Sequence, residues 1–314
     1  MEIIREITNY QTNNKPLYLA LGNFDGVHKG HKKLLSEAVK IAQDNNGFAA
    51  ALIFDPHPNK VLNPDRNFKL ITKNDKQAEL LREIGIDILI YNSFNKEISQ
   101  WIPEDFVKKV IISKLNAKHV FVGFNYSFGY KGQGTPELLK KLGDKYNFAV
   151  SIIPPVSQNN QVVSSSIIRE MIENGQIKKA KNLLDYYPVV TGIVVEGDKR
   201  GGDKIGFPTA NLKVDGDIII PATGVYAAKA KHKGTLYNCV VNVGRKPTFH
   251  DNHPVTIEAH IIDFSTDIYG DGLEIIFLDK IRDEMKFADI DSLAKQISID
   301  KDTAKRISSA TKLG

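Results

Sequence analysis

The sequence predicts an α/β domain with a parallel, Rossmann-like sheet, followed by a small antiparallel β-barrel or sandwich. From about residue 17 to residue 182, short apolar runs such as LYLALG and AAALIF alternate with amphipathic, helix-like segments. This alternation is typical of parallel strands joined by crossover helices. After about residue 188 the chain changes to β-rich segments separated by turns, which favours a small barrel or sandwich. We therefore expect two domains, 1–184 and 185–314.

Hydrophobic periodicity predicts the individual elements. LYLALG (17–22) is typical of a buried strand, and the following segment HKKLLSEAVKIAQDN places five apolar residues on one helical face. Those residues are Leu34, Leu35, Ala38, Val39 and Ala42. Further strands are expected at 49–54, 86–91, 119–123 and 148–153, with helices between them. In the second domain we expect strands in VVTGIVVEG, GVYAAKAKH, TLYNCVVNVG, VTIEAHIIDF and LEIIFLDKI, and then a helical stretch.

Composition indicates a globular cytoplasmic protein. The chain has 314 residues, of which 42% are hydrophobic and 25% charged, as is ordinary for a globular protein. No apolar run has the length of a membrane span, and MEIIREITNYQ is not typical of a signal peptide. The one cysteine, Cys239, cannot form an intrachain disulfide or a thiolate zinc site, and we expect it in the core.

The charge pattern bears on the class of partner. The net charge of +5 is mild and spread along the chain, with no dense basic stripe that contains interleaved aromatic residues. Such a stripe is typical of nucleic-acid binders, so we expect no nucleic-acid partner. Small anionic substrates such as nucleotides suit this charge. Nothing in the sequence specifies an oligomeric state.

The stretch GNFDGVHKGH (residues 22–31, the glycine loop) holds two histidines three positions apart. It follows a predicted strand and precedes a helix, and free N–H groups at a helix start attract anions. Two imidazoles there could also donate hydrogen bonds to a phosphate whose charge grows during transfer. Zinc binding is a weaker hypothesis, because no cysteine or H-E-x-x-H arrangement completes a ligand set. An exposed turn is the remaining alternative.

Three other segments begin near the ends of predicted strands. They are FDPHP with Asp55, GFNYSFG with Asn125, and the stretch that leads into SSSIIRE with its Ser164, Ser166 and Arg169. Ligands of open α/β sheets bind beyond the carboxyl ends of the strands, so we expect these segments and the glycine loop to converge. Serines at a helix start can bind phosphate, and Arg169 could add a fixed charge. The alternatives are a plain capped helix and a turn-forming Asp55.

The second domain contains its own glycine-rich basic segment, GDKRGGDKIGFPTANL (197–212). Its glycines allow the backbone to approach phosphate closely. Thr209 and Asn211 offer neutral oxygens that could hold a hydrated Mg²⁺. A β-turn with a basic tip is the alternative interpretation.

The first-domain motifs carry a family resemblance. F-D-G-x-H-x-G-H resembles the nucleotidyltransferase signature, and GNFDGVHKGH, IFDPHP, VGFNYSFGYKGQG and SSSIIRE together resemble the FMN adenylyltransferase half of bacterial bifunctional riboflavin kinase/FAD synthetases. The resemblance implies a nucleotidyltransferase-type fold in which His28 and His31 grip the ATP phosphates. It also implies nucleotide or flavin contacts from the remaining motif residues, namely Gly22, Asn23, Phe24, Asp25, Asp55, Asn125, Ser164, Ser166 and Arg169.

The second-domain motifs GFPTAN, VNVGRKPTF and IEAHIIDF resemble the riboflavin kinase half of the same family, over about 186–314. This resemblance implies that Thr209 and Asn211 ligate Mg²⁺ with ATP, and that Glu258 is the general base for the riboflavin 5′-hydroxyl. It further implies substrate contacts from Lys204, Gly206, Pro208, Asn242 and Arg282.

Three functional hypotheses follow. The leading one is a bifunctional enzyme that phosphorylates riboflavin to FMN and then transfers an adenylyl group from ATP to FMN. A flavin-binding regulatory protein is the alternative, because Asn125 and Ser127 replace the Asp and Arg that the family resemblance predicts, and the loop at 200–205 is also altered. An adenylyl- or cytidylyltransferase for another phosphorylated metabolite is the third.

Overall fold

The computed structural model describes two compact units of the chain. The described residues are 1–12, 14–196, 209–245 and 255–311. The first unit comprises Met1–Phe68 and Thr72–Ser164, and the second comprises Lys69–Ile71 and Ser165–Gly314. The predicted site residues Lys204, Gly206 and Pro208 lie outside the described residues.

The first unit contains the parallel sheet that the alternating sequence pattern predicts. Its strands are β1 (Glu2–Arg5), β2 (Leu17–Leu21), β3 (Phe48–Phe54), β4 (Ile88–Asn92), β5 (Ala117–Gly123) and β6 (Ala149–Ile153). They lie in the order β1-β4-β3-β2-β5-β6, and neighbouring strands run parallel. Strand β1 is not predicted from the sequence, because the short segment EIIR has no clear alternation of polar and apolar residues.

Helices and short turns join these strands. The helices are α1 (Lys29–Asp44), α2 (Pro58–Leu62), α3 (Asn74–Ile84), α4 (Lys96–Ser99), α5 (Pro103–Phe106), a π-helical segment (Val107–Lys114) and α6 (Pro136–Tyr146). Two 3₁₀ turns span Ile7–Asn9 and Tyr130–Gly132. After β6 comes a two-stranded hairpin, β7 (Ser157–Gln158) and β8 (Gln161–Val162). The buried face of α1 consists of the five apolar residues that its periodicity predicts.

The second unit is the antiparallel barrel that the β-rich pattern predicts. It begins with the helices α7 (Ser165–Glu173) and α8 (Ile177–Leu184), which precede the predicted boundary. Its strands are β9 (Val189–Val195), β10 (Ala210–Val214), β11 (Gly224–His232), β12 (Thr235–Arg245), β13 (Val255–Ile261) and β14 (Gly272–Arg282). They close in the order β10-β13-β12-β11-β14-β9. Residues of β10 belong to the segment 197–212, for which the glycine-rich sequence predicts a loop.

A long final helix, α9 (Ile290–Ala310), covers one side of the barrel. Its Ala304 is fully buried against Val225 and Ala227 of β11 and Val240 of β12. Cys239 lies in the barrel core as expected, and burial raises the pKa of its thiol, which makes it a poor nucleophile. Across the described ranges, no helix is both long and apolar enough to cross a bilayer.

The central strand β2 gives a direct test of the first unit's core. Leu19 is fully buried, and Leu19→Ala should lower the free energy of unfolding by about 2–5 kcal/mol because it leaves a cavity. The single tryptophan of the sequence, Trp101, packs against this core, so its fluorescence during urea unfolding reports on this unit. The control Leu62→Ala, at a position 55% exposed, should change stability by less than about 0.5 kcal/mol. Equal effects of the two substitutions would contradict the placement of Leu19.

Candidate functional sites

The glycine loop lies where the order of the sheet reverses. From β2 the chain continues through β3 and β4 on one side, and later through β5 and β6 on the other side. The carboxyl ends of β2 and β5 therefore flank the switch point of the sheet, which is where open α/β sheets bind their ligands. The glycine loop follows β2, and the segment with Asn125 follows β5.

Three aromatic rings pack together within the glycine loop. The imidazoles of His28 and His31 lie parallel, with 3.6 Å between ring centroids and 17° between planes. The edge of the Phe24 ring meets His31 at 5.3 Å. A Cβ on Gly22 would lie 3.0 Å from Phe24 Cε1, so glycine leaves room for that ring. The sequence-predicted residues Gly22, Phe24, His28 and His31 thus form one packed group.

His28 caps helix α1 with its own side chain. Its Nδ1 accepts a hydrogen bond of 3.3 Å from the backbone N–H of His31. An imidazole that accepts at Nδ1 carries its proton at Nε2 in the neutral form, so Nε2–H is the donor of this ring. A Cβ on Gly30 would lie 3.1 Å from His28 Cε1, so glycine at this position leaves room for the imidazole. The H-x-G-H spacing is therefore a capping arrangement.

A second layer of polar residues supports the glycine loop. Asp25 is 3% exposed, and its carboxylate accepts a hydrogen bond of 3.1 Å from the Thr72 backbone N–H. The Thr72 hydroxyl accepts a hydrogen bond of 3.0 Å from the Gly26 N–H. The side chain of Gln77 donates to the carbonyl oxygen of Asn23 at 2.8 Å. Thr72 and Gln77 are not predicted from the sequence, because no local motif marks them.

The predicted residue Asp55 belongs to the same surroundings. Its carboxylate accepts a hydrogen bond of 2.6 Å from the Asn74 side chain at the start of α3. The Tyr91 hydroxyl donates to the Asn74 carbonyl at 3.0 Å and lies 3.1 Å from Gln77 Oε1. Burial, with a smaller contribution from Asp55, raises the pKa of that hydroxyl, which keeps it a donor. The start of α3 therefore links Asp55 to the glycine loop.

The two remaining predicted segments differ in how they relate to the glycine loop. Asn125 is exposed in the turn that follows β5. Lys29 at the start of α1 donates to the Gln158 side chain at 3.0 Å, which holds the β7–β8 hairpin beside the loop. The hairpin ends two residues before Ser164. Ser166 and Arg169 belong to the second unit, where Arg169 Nε donates to the Lys69 carbonyl at 2.8 Å. Their convergence with the histidines stays a prediction.

In the second unit, the barrel register aligns three predicted residues across adjacent strands. Asn211 of β10 and Asn242 of β12 each lie directly opposite Glu258 of β13. We call these three residues the carboxylate row. Directly opposed residues of an antiparallel pair share one face of the sheet. The neighbours Ile257 and Ala259 are buried in the barrel core, so the row faces outward.

Two further groups lie beside the carboxylate row. Thr209 is exposed and precedes Asn211 by two positions along the chain. Glu284 Oε1 lies over Gly244: a Cβ on that glycine would be 2.8 Å from Glu284 Oε1 and 3.5 Å from Asn242 Nδ2. Glu284 is thus a candidate site residue that the sequence analysis did not single out, although it lies in the segment IRDEMKF.

Arg282, expected to contact substrate, is held by helix α9. Its Nη2 donates to Asp300 Oδ2 at 2.8 Å, and its Nε lies 3.1 Å from both carboxylate oxygens. Asp300 is 2% exposed and also accepts a hydrogen bond of 3.0 Å from Gln296. The ion pair joins the end of β14 to α9 near the carboxylate row, because Arg282 and Asn242 both lie opposite Val225. This geometry suits a positioning role.

Both units match known families. A family model described as FAD synthetase matches residues 10–167, and one described as riboflavin kinase matches residues 184–308. A Bacillus subtilis (strain 168) protein named bifunctional riboflavin kinase/FMN adenylyltransferase is 38% identical, over 92% of this chain and 91% of that protein. The chain belongs to this bifunctional family. The Escherichia coli (strain K12) protein of the same name is 30% identical over 99% of each chain.

A solved structure agrees with this fold. The crystal structure of a Streptococcus pneumoniae protein named a macrolide-efflux protein matches with a TM-score of 0.88 and 32% identity, over 97% of this chain and 99% of that one. The word efflux belongs to the name of that protein and describes no feature of the present chain. In the present chain, the glycine loop lies in the FAD synthetase match and the carboxylate row lies in the riboflavin kinase match.

The Arg282–Asp300 pair generates a stability prediction for the riboflavin kinase half. Asp300→Asn leaves the partly buried guanidinium without its counter-charge. The free energy of unfolding should fall by roughly 3 kcal/mol, the lower end of the range for breaking a buried ion pair. Amide hydrogen exchange of peptides from β14 and α9 measures the loss of protection in the full chain. The control Asp302→Asn changes an exposed carboxylate on the same helix and should have little effect. Matching exchange profiles for the two variants would refute the structural role of the pair.

Proposed function

We propose that this enzyme makes FAD from riboflavin in two steps at two separate sites. The riboflavin kinase half transfers the γ-phosphoryl group of ATP to riboflavin, giving FMN and ADP. The FAD synthetase half then transfers the adenylyl group of a second ATP to FMN, giving FAD and pyrophosphate. The observation that carries this proposal is that each matched half holds its own reactive group: the stacked histidines in one, and Glu258 between Asn211 and Asn242 in the other.

In the kinase step, we assign the role of general base to Glu258. Its carboxylate accepts the proton of the riboflavin 5′-hydroxyl while that oxygen bonds to the γ-phosphorus. The bond between the γ-phosphorus and the bridging oxygen breaks, and ADP leaves. A carboxylate on a barrel strand suits this task, because both neighbouring strands hold its backbone in place.

Thr209 and Asn211 are the residues that would hold Mg²⁺ with ATP. Their hydroxyl and amide oxygens, next to the carboxylate of Glu258, are donors that fit a hard divalent cation. When bound, the ion neutralises negative charge on the phosphates. Asn242, on the other side of Glu258, and Glu284 would then contact substrate, and Arg282 would position this segment. We extend substrate contacts to Lys204, Gly206 and Pro208 from the family motif alone.

In the adenylyl step, an FMN phosphate oxygen attacks the α-phosphorus of ATP, and the bond to the pyrophosphate leaving group breaks. We assign His28 and His31 to the ATP phosphates, where imidazole N–H groups stabilise the developing charge. Gly22, Asn23, Phe24, Asp25 and Asp55 shape the site around them. Ser164, Ser166 and Arg169 would bind phosphate oxygens, and Asn125 would contact the nucleotide or flavin. Positioning and charge neutralisation would supply most of the rate enhancement.

We further propose that the enzyme works in the cytoplasm on small-molecule substrates. ATP supplies both transferred groups, and the single cysteine is buried as a thiol, which suits a reducing compartment. For the domains we keep the ranges 1–184 and 185–314, because the riboflavin kinase match begins at residue 184.

Chromatography of flavins over time tests the assignment of the two sites. With riboflavin and Mg-ATP, wild type should make FMN and then FAD. The variant with His28→Ala and His31→Ala should stop at FMN, with adenylyl transfer slowed by roughly 100–1,000-fold. Glu258→Gln should slow phosphorylation by roughly 100–10,000-fold, yet still convert supplied FMN to FAD.

Matched controls are His119→Gln on β5 and Glu274→Gln on β14, which should leave both rates within about threefold of wild type. If the histidine variant makes FAD at the wild-type rate, the assignment of the glycine loop is wrong. If wild type binds flavin but makes neither product, the chain is a flavin-binding protein instead.

A further inference from the structure

The backbone of the glycine loop adopts conformations that side chains disfavour. Phe24 has a φ of 47° and Val27 a φ of 36°, although neither is glycine, and Gly26 between them has a φ of 80°. The Val27 N–H donates to the Phe24 carbonyl at 3.0 Å, which closes a tight turn. Left-handed backbone at bulky residues persists only where the surroundings impose it. The contacts that hold this backbone conformation should therefore come from residues outside the loop.

Thr72 provides such contacts from the segment that leads into α3. Its hydroxyl accepts a hydrogen bond from the Gly26 N–H at 3.0 Å and lies 3.4 Å from Asp25 Oδ1. Its own N–H donates to the same Asp25 oxygen at 3.1 Å. One side chain thus engages two consecutive residues in the middle of the turn. Thr72 is 6% exposed, so these bonds form where water does not compete strongly.

The neighbouring Gln77 extends this support toward β2. Its Nε2 donates to the Asn23 carbonyl at 2.8 Å, while the Tyr91 hydroxyl lies 3.1 Å from its Oε1. Gln77 is 4% exposed and Tyr91 is also buried. The segment from Thr72 to Gln77 therefore contacts the glycine loop at the Asn23 carbonyl, the Asp25 carboxylate and the Gly26 N–H, just ahead of His28.

We propose that Thr72 is a positioning residue for adenylyl transfer: its hydroxyl sets the turn that aims His28 and His31. This inference rests on the proposed function of the two histidines. The path from Thr72 to His28 is short, because Gly26 is followed by Val27 and then by the capping histidine. Loss of the hydroxyl would let the turn relax, and small displacements of groups that bind the transferred phosphate lower the rate strongly.

The test compares Thr72→Ala, Thr72→Val and Thr72→Ser in the full chain, with FMN and Mg-ATP supplied. Alanine and valine remove the hydroxyl, whereas serine keeps it. We expect kcat for FAD formation to fall roughly 10–100-fold in Thr72→Ala and Thr72→Val, with a smaller change in the KM for ATP. Thr72→Ser should stay within about threefold of wild type, because it restores both hydroxyl contacts.

The riboflavin kinase rate of each variant is the internal control for folding and should stay at the wild-type value. Thr8→Ala, at an exposed threonine of the same unit, is the matched control and should affect neither reaction. A second readout is amide exchange at Gly26, which should accelerate in Thr72→Ala and Thr72→Val and remain slow in Thr72→Ser.

Three outcomes would overturn the proposal. The first is an adenylyl rate near wild type in Thr72→Ala and Thr72→Val while the His28→Ala/His31→Ala variant is impaired. The second is a loss of kinase and adenylyl activity together in both hydroxyl-lacking variants, which would indicate general destabilisation. The third is failure of serine to restore the rate. If the histidine variant itself is fully active, the proposed function of the loop fails instead, so the two failures are distinguishable.

Discussion

The turn between β2 and α1 is the constraint on which the first site depends. Within seven residues the chain must leave a buried central strand, reverse direction and start a helix capped by His28. It does so through left-handed backbone at Phe24, Gly26 and Val27. Glycine at position 30 admits the capping ring, and the start of α3 holds the turn from outside. The positions of the two imidazoles therefore depend on this backbone geometry.

In the riboflavin kinase half, strand register determines on which face of the barrel the carboxylate row lies. A β-strand alternates its side chains between two faces, so a slip of one residue in β13 would turn Glu258 into the barrel core. The closed antiparallel barrel excludes such a slip, because β10 and β12 both pair with β13. The Arg282–Asp300 pair joins β14 to α9 on the same outer surface. Strand register therefore positions the carboxylate row in one half, and a left-handed turn positions the histidines in the other.

The sequence predicted what local patterns encode. Apolar runs located the central strands, the buried face of α1 and most strands of the barrel, and glycine and histidine spacing indicated the turn proposed as the first site. It did not predict β10, which follows a glycine-rich segment, or the contacts of Thr72 and Gln77, which lie 47 and 54 residues from their partners Asp25 and Asn23. Such contacts depend on which strands become neighbours, and periodicity carries no information about that order.

The most direct test of the central claim, that two independent sites carry the two reactions, is a mixing experiment. The Glu258→Gln variant and the His28→Ala/His31→Ala variant are combined in equal amounts with riboflavin and Mg-ATP. Each alone should give almost no FAD, whereas the mixture should give FAD, because FMN released by the histidine variant becomes substrate for the other. The contradicting result is a mixture that forms no more FAD than the two variants form separately, although free FMN is present in excess of enzyme.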